Sequence, residues 1–314
     1  MLAYAVKRVG LAIVITAVAM ILLISSIQLI PGDPASVLLG PLATPQFREA
    51  FRAKMGLDQP VVIQIARFFG RAVTGDFGTD VLTQRPVATA VIEQMPYTLA
   101  LIGAGIGWAA ALGIPLGCFA AVRRGSAGDR IIGVLSVSVI AVPAFVVAIY
   151  SLLFFSVELG WFPTIGAGRP GDLGDQLYHL VLPALAVGLG WVGYLARMVR
   201  ASMLEVLSEN HIRMARAFGL RERTITFGYA LKLAIIPTVV LLGIGVGTMI
   251  SSAVFAEIVF ARPGVGRLIF DAIATRNYPV VFGGVMITTV FYVICTLVAD
   301  LAAAWLDPRV RANL

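Results

Sequence analysis

The sequence predicts an all-α polytopic membrane protein with six transmembrane helices. Three observations predict it. The 314 residues are 59% hydrophobic and only 13% charged, where a soluble domain is about a quarter charged, so an aqueous globule could not hide the apolar surface. Six mostly apolar runs, near 10–30, 97–122, 131–156, 179–197, 234–256 and 281–306, approach or exceed the roughly 20 residues that a helix needs to cross a bilayer. Basic residues gather in alternate short connections, as cytoplasmic loops do under the positive-inside rule.

The elements follow in order. Lys7 and Arg8 precede the first run as they would in a signal peptide. The run is long for that, and no small-x-small cleavage site follows it. Residues 1–30 therefore read as an N-terminal membrane helix that is kept. Residues 31–96 carry six basic and six acidic side chains and read as a small helical extracytoplasmic cap. Thr44-Pro45 fits an N-cap followed by Pro at the first helical position, with the helix stopping at Gly56. A second helix is expected from near Asp58 to Gly75, and the turn-rich stretch GDFGTDVLTQRPV at 75–87 is expected to pack back on the helices. Such a cap serves either as a docking surface for a soluble partner or as a lid on the helix ends.

Residues 97–306 form the transmembrane core, with a cytoplasmic loop at about 198–233 and a cytoplasmic tail at 307–314. Arg123, Arg124, Arg130, Arg309 and Arg311 lie on the same side as that loop, whereas 157–178 and 257–280 mix Arg with Glu and Asp. This bias puts both termini in the cytoplasm. It also accounts for the net charge of +7 without invoking nucleic acid.

Several chemistries are excluded. No G-x-x-x-x-G-K-[ST] occurs, and the glycine-rich stretches GAGRPGDLG at 166–174 and GVGR at 264–267 lack the Lys-Ser/Thr that faces phosphate and Mg²⁺. The chain is not expected to hydrolyse ATP alone. Its two histidines, His179 and His211, fall near opposite membrane faces, so no catalytic or metal site is expected and no cofactor is implied. Cys118 and Cys295 sit in apolar runs and read as buried hydrophobes. Asp300 is a lone acid near the cytoplasmic end of the last run, read as a packing residue. Ion-coupled carriers place ionisable groups near the midplane. That class stays as the alternative to a transporter energised from outside the chain.

The stretch HIRMARAFGLRERTITFGYALKLAIIP at 211–237 is basic yet lies between two apolar runs. Ile212, Ala215 and Phe218/Gly219 recur at helical spacing and predict a narrow apolar stripe on a short helix. Ser208 or Asn210 can cap its start, and Gly219 sits where a left-handed glycine would end it. A second helix is expected from Arg221 toward the membrane, with Ile236-Pro237 opening the fifth span. A short helix displayed this way suits a groove in another protein; the alternative, an amphipathic helix lying on anionic membrane lipid, fits its moderate hydrophobicity and central Gly less well.

At these residues the chain resembles the permeases of ATP-binding cassette importers. RMARAFG at 213–219 is similar to their coupling loop in its peptide-permease form, R-T-A-R-A-K-G; Arg213 and Met214 depart from the wider Glu-Ala-Ala pattern, while Ala215 and Gly219 match it. IPGDPA at 30–35, GLDQP at 56–60, GDFGTD at 75–80, RPV at 85–87, VELGWFPTIGA at 157–167 and VRASMLEVLSE at 199–209 resemble the first permease of dipeptide, oligopeptide, nickel and glutathione importers. So does EIVFARPGVGRLIFDAIATRNYPVV at 257–281, with Asn277 where Asp is usual.

The resemblance implies a type I importer permease in the inner (plasma) membrane. Its expected partners are a second permease, two cytoplasmic ATPase subunits and an extracytoplasmic solute-binding protein. Arg213, Ala215, Arg216, Ala217 and Gly219 would contact an ATPase. The implied substrate is a dipeptide or oligopeptide, with glutathione or nickel as alternatives. Glu257, Pro263 and Gly264 are candidates for the outer gate, unless Glu257 pairs with Arg262 or Arg267 to pin the turn.

Overall fold

The computed structural model describes residues 2–27, 44–46, 49 and 58–306. Its helices are α1 (Leu2–Ile27), α2 (Val61–Ala72), α3 (Val87–Val122), α4 (Ala127–Ala141), α5 (Ala144–Glu158), α6 (Leu173–Leu207), α7 (Asn210–Ala217), α8 (Glu222–Ala234), α9 (Ile236–Val259), α10 (Val265–Ala274) and α11 (Tyr278–Leu306). Among the described residues the only β feature is an isolated antiparallel bridge between Thr79 and Pro86. The expected helix at 45–55 lies almost wholly outside the described residues, as does the tail at 307–314. Asp300 falls in α11, but its side chain is outside the described set.

Among the described residues four helices are long and apolar enough to cross a membrane, or up to six spans result if each of two bent pairs counts as one. The third expected span is one of the bent pairs: α4 and α5 meet at 96°. Pro143 causes the break. It offers no N–H to the helix ladder and disfavours helical backbone in the residue before it, and Val142 is extended at ψ 121°. The fifth expected span is preceded by a similar but smaller 44° bend between α8 and α9, where Pro237 sits in the first turn of α9. The second expected span starts earlier than its apolar run: α3 continues back to Val87, through Glu93 and Pro96.

The chain divides into two compact units. One combines residues 1–96 with 264–294, and the other combines 97–263 with 295–314. Residues 264–294 thus group with residues 1–96. The reason is apolar. Val87 and Val91 of α3 bury against Val265 and Ala272 of α10 and Val280 and Val281 of α11, with Phe77 of the outer loop packed on the cluster.

In that first unit, α2 begins after Pro60 and the turn beyond it ends at Gly75 with φ +76°, as expected. The loop that follows is built on Asp80. Its carboxylate accepts from the backbone N–H groups of Leu82 (2.8 Å) and Thr83, from the Thr83 hydroxyl (2.6 Å) and from the Asn277 amide (2.6 Å). Burial pushes the Asp80 carboxyl up, but these donors together outweigh it and hold it below its ordinary 3.8. A carboxylate with a depressed folded pKa contributes stability above its unfolded pKa and loses it as pH falls through the folded value. Protection of residues 75–86 from proteolysis in detergent should therefore be unchanged between neutral pH and about pH 5 and fall away below the ordinary aspartate range. Asp80→Ala should lack the protection throughout. Protection that declines as pH rises would contradict the assignment.

The second unit is held by close backbone approach. A Cβ on Gly117 of α3 would lie 2.5 Å from the Ala196 carbonyl oxygen of α6, and one on Gly113 would lie 2.8 Å from Leu195 Cβ. Gly193 of α6 meets the Ser136 carbonyl of α4 in the same way, at 2.5 Å. Small residues let membrane helices approach until van der Waals contact supplies the attraction that water cannot. The Trp108 indole N–H, on α3, donates to the Ala184 carbonyl at 2.7 Å. Outward, Val134 is 66% exposed and Ile131 57% exposed on α4, the pattern of side chains that face hydrocarbon.

Candidate functional site

The basic stretch forms the expected helix–glycine–helix. α7 starts after Glu209, which occupies the N-cap position in extended backbone with no side-chain cap. Neither residue expected to cap it does so: the Ser208 hydroxyl donates back to the Glu205 carbonyl at 2.7 Å, and Asn210 is already helical. Glu209 pairs with His211 at 3.0 Å instead.

The other end fits the expectation. Gly219 has φ +76°, its N–H donates to the Arg216 carbonyl at 2.9 Å, and the Leu220 N–H reaches back to the Ala215 carbonyl at 3.2 Å. These are the two bonds of a Schellman motif, which satisfies carbonyls that the helix end leaves open. Arg216 then bridges to Glu222 at the start of α8, at 2.9 Å. Both are substantially exposed, so this pair orients the loop and contributes about 0–1 kcal/mol.

The apolar stripe does not face outward as one surface, which corrects the sequence reading. Ile212 is fully buried and Ala215 is 7% exposed. They pack on Val199, Met203 and Val206 of α6 and on Ile225 of α8. Ala215, expected at a partner contact, has its side chain inside its own chain. The exposed apolar residues are Phe218, at 78%, and Met214, at 59%. They lie four residues apart, on one face. Arg213, Arg216, Ala217 and Gly219 are exposed too. Two apolar pairs thus share one short helix, Ile212 with Ala215 and Met214 with Phe218. Spacing alone could not tell which pair turns inward; Phe218 beside four arginines was the available signal.

A charge pair ties this segment to the neighbouring loop. Arg200 of α6 donates from Nε and Nη2 to the two carboxylate oxygens of Asp129, at 2.5 and 2.9 Å. Asp129 is 5% exposed and also accepts the Gly125 N–H at 2.9 Å. Bidentate Arg–carboxylate geometry of this kind fixes orientation, so the 123–129 corner and the end of α6 that leads into α7 are set relative to each other.

The second candidate cluster lies at the end of α9. Glu257 is fully buried and accepts the Thr98 hydroxyl at 2.6 Å. Arg262 is 3% exposed and its backbone N–H donates to the Glu257 carbonyl at 2.9 Å. Burial pulls the Arg262 guanidinium down from its ordinary value, while Glu257 and Tyr97 work against that shift. Between them, Ala261 holds φ +44°. Pro263 and Gly264 follow, on either side of the division between the units; Gly264 is buried with extended backbone at φ 170° and heads α10. Within α10, Arg267 has Asp271 at 3.7 Å. Among the described residues no group of three or more His, Cys, Asp or Glu could hold a metal ion. His179 pairs with Asp175 at 3.2 Å.

Comparison with known proteins places this architecture. Residues 113–312 match the family model of the binding-protein-dependent transport system inner membrane component, and residues 1–102 match the model of its N-terminal domain. The chain is 36% identical over 311 residues to the glutathione transport system permease protein GsiC of Shigella flexneri and to that of Escherichia coli K12, with 99% of each chain covered. An inward-facing structure of the MetNI methionine ABC transporter shares the fold, with a TM-score of 0.55 at 17% identity over 69% of this chain and 95% of that one. The chain therefore belongs to the binding-protein-dependent transport system inner membrane component family, as an all-α, multi-pass permease subunit of an ATP-binding cassette importer that leaves ATP hydrolysis to separate ATPase subunits.

Proposed function

We propose that this chain is one of two different permeases that together import a peptide-type substrate, a dipeptide or oligopeptide, handed over by a solute-binding protein. Glutathione, itself a tripeptide, falls within the same chemical class, and the full-length likeness to glutathione permeases is the observation that carries the substrate reading. Nickel has less support, since no His/Cys/Asp/Glu cluster suited to a metal occurs among the described residues.

α7 is the coupling helix in this reading. Met214 and Phe218 insert into an apolar groove of an ATPase subunit, and Arg213 and Arg216 sit at its rim. Ala217 and the Gly219 turn give the close approach. Closing of the ATPase pair on ATP then moves α7, and the Arg200–Asp129 bridge passes that motion to α4 and α6. Glu257, with the Pro263-Gly264 turn, serves the outer gate. The distribution of Lys and Arg supports a cytoplasmic position for both termini and α7.

The test is reconstitution with the second permease, the ATPases and the binding protein in proteoliposomes. Uptake of labelled tripeptide should follow ATP, persist when ionophores collapse ion gradients, and be competed by dipeptides and glutathione but not by Ni²⁺. The chain alone should show neither ATPase activity nor uptake. Gradient-driven uptake by the chain alone would move it to the ion-coupled class.

A further inference from the structure

We propose that Arg262 is the residue of this chain that receives the carboxylate of the substrate in transit, an assignment that rests on the peptide-class reading given above. Arg262 is 3% exposed, yet its Nε and Nη1 make no hydrogen bond. Buried polar groups are nearly always partnered, and a guanidinium carries five N–H donors and no acceptor. Two donor nitrogens, with three N–H bonds between them, are buried and open, and they call for an acceptor that arrives from elsewhere.

The surroundings hold the side chain without using those donors. The Tyr97 ring lies 6.0 Å from the guanidinium carbon, at the edge of cation–π range. Glu257 is close enough to favour the charged guanidinium, but it accepts from the Thr98 hydroxyl and from neither open donor of Arg262. The backbone is also committed. Ala261 sits at φ +44°, a region that residues with a Cβ seldom occupy, and the Phe260 carbonyl on its other side accepts the Gly166 N–H at 2.9 Å. Strain of this sort persists where surrounding structure imposes it, which is characteristic of functional sites.

Charge narrows the ligand. Arg262 and Glu257 together sum to zero, so a simple anion would leave the buried site with a net negative charge. A zwitterion leaves it neutral. A peptide with free termini meets both conditions: a planar carboxylate for the guanidinium and no net charge to bury. The guanidinium is closed to solvent in this conformation, so the carboxylate reaches it only when Tyr97 or the 260–263 turn moves. Alternating access supplies such a movement.

The experiment compares trialanine, a zwitterion with a single carboxylate, with its C-terminal amide, using the complete importer in proteoliposomes. The binding protein is the same for parent and variant, so its own preference cancels in the ratio of acid to amide. Arg262→Gln should lower uptake of the free acid at least tenfold and change uptake of the amide less than twofold. Arg262→Lys, which keeps the charge but not the planar fork, should recover part of the loss. Equal losses for acid and amide, or no loss for either, overturn the assignment. So does failure of both variants to co-purify with the second permease, which would make Arg262 an assembly residue. A parent importer that does not take up trialanine sinks the substrate reading and this assignment with it; the other outcomes sink the assignment alone.

Discussion

Phe218→Asp should leave the chain folded in the membrane and remove ATP-driven uptake. At 78% exposure, Phe218 contributes little to the stability of its own chain, so the substitution touches only what docks there. Truncating a central aromatic at an interface costs about 2 kcal/mol or more, roughly a thirtyfold loss of affinity, and a buried unpaired carboxylate adds to it. Co-purification of the ATPase should fall accordingly, while yield and monodispersity of the chain stay at parental levels. Ala215→Glu should behave differently. It forces a carboxylate among Val199, Met203 and Ile225, so it should lower the yield of folded chain before any partner is added. Gly219→Val should stand between the two. No atom lies within 4 Å of a Cβ there, so the penalty is the backbone alone, about 1–2 kcal/mol for an L-residue in the left-handed region. The helix end should loosen and transport per ATP should drop. If Phe218→Asp binds ATPase and transports as the parent does, α7 is not the coupling helix.

Gly117→Val should prevent the chain from folding, whereas Gly103→Val on the same helix should be accepted. A Cβ at Gly117 would lie 2.5 Å from the Ala196 carbonyl oxygen and 2.8 Å from Val199 Cβ. A backbone oxygen in the middle of α6 has no rotamer through which to yield. The loss should be about 3 kcal/mol, the upper end of overpacking penalties. Gly103 has nothing within 4 Å of its Cβ position, so only the gain of a side chain remains. The readout is the monodisperse fraction of the isolated chain in mild detergent, with no partner present. Equal behaviour of the two variants would mean that α3 and α6 do not pack through Gly117.

Elements that depend on local chemistry or on the solvent were legible in the sequence. Apolar runs near bilayer length, separated by charged connections, announce a polytopic protein because hydrocarbon cannot solvate an open backbone. The end of α7 was legible because only glycine adopts φ +76° without strain, and the start of α9 because Pro237 suits a first turn. The break in the third span was also encoded locally, in Pro143, but a proline inside an apolar run is consistent with either a kinked crossing or a sharp corner. Its 96° angle follows from what α4 and α5 pack against.

Packing between distant segments set the rest. Met214 and Ala215 are neighbours in one motif, yet one is 59% exposed and the other 7%. Helical spacing fixes which residues share a face, and only the position of α6 and α8 fixes which face turns inward. Residues 264–294 look like a continuation of the core, but Val265, Ala272 and Val280 find their apolar partners at Val87 and Val91, far away in sequence. Asp80 and Asn277 share a hydrogen bond of 2.6 Å that nothing in either local pattern suggests. The open donors of Arg262 belong to the same class. An arginine before a proline reads as a solvated turn residue until the fold buries it, because desolvation is a property of everything packed around a group and not of the group itself.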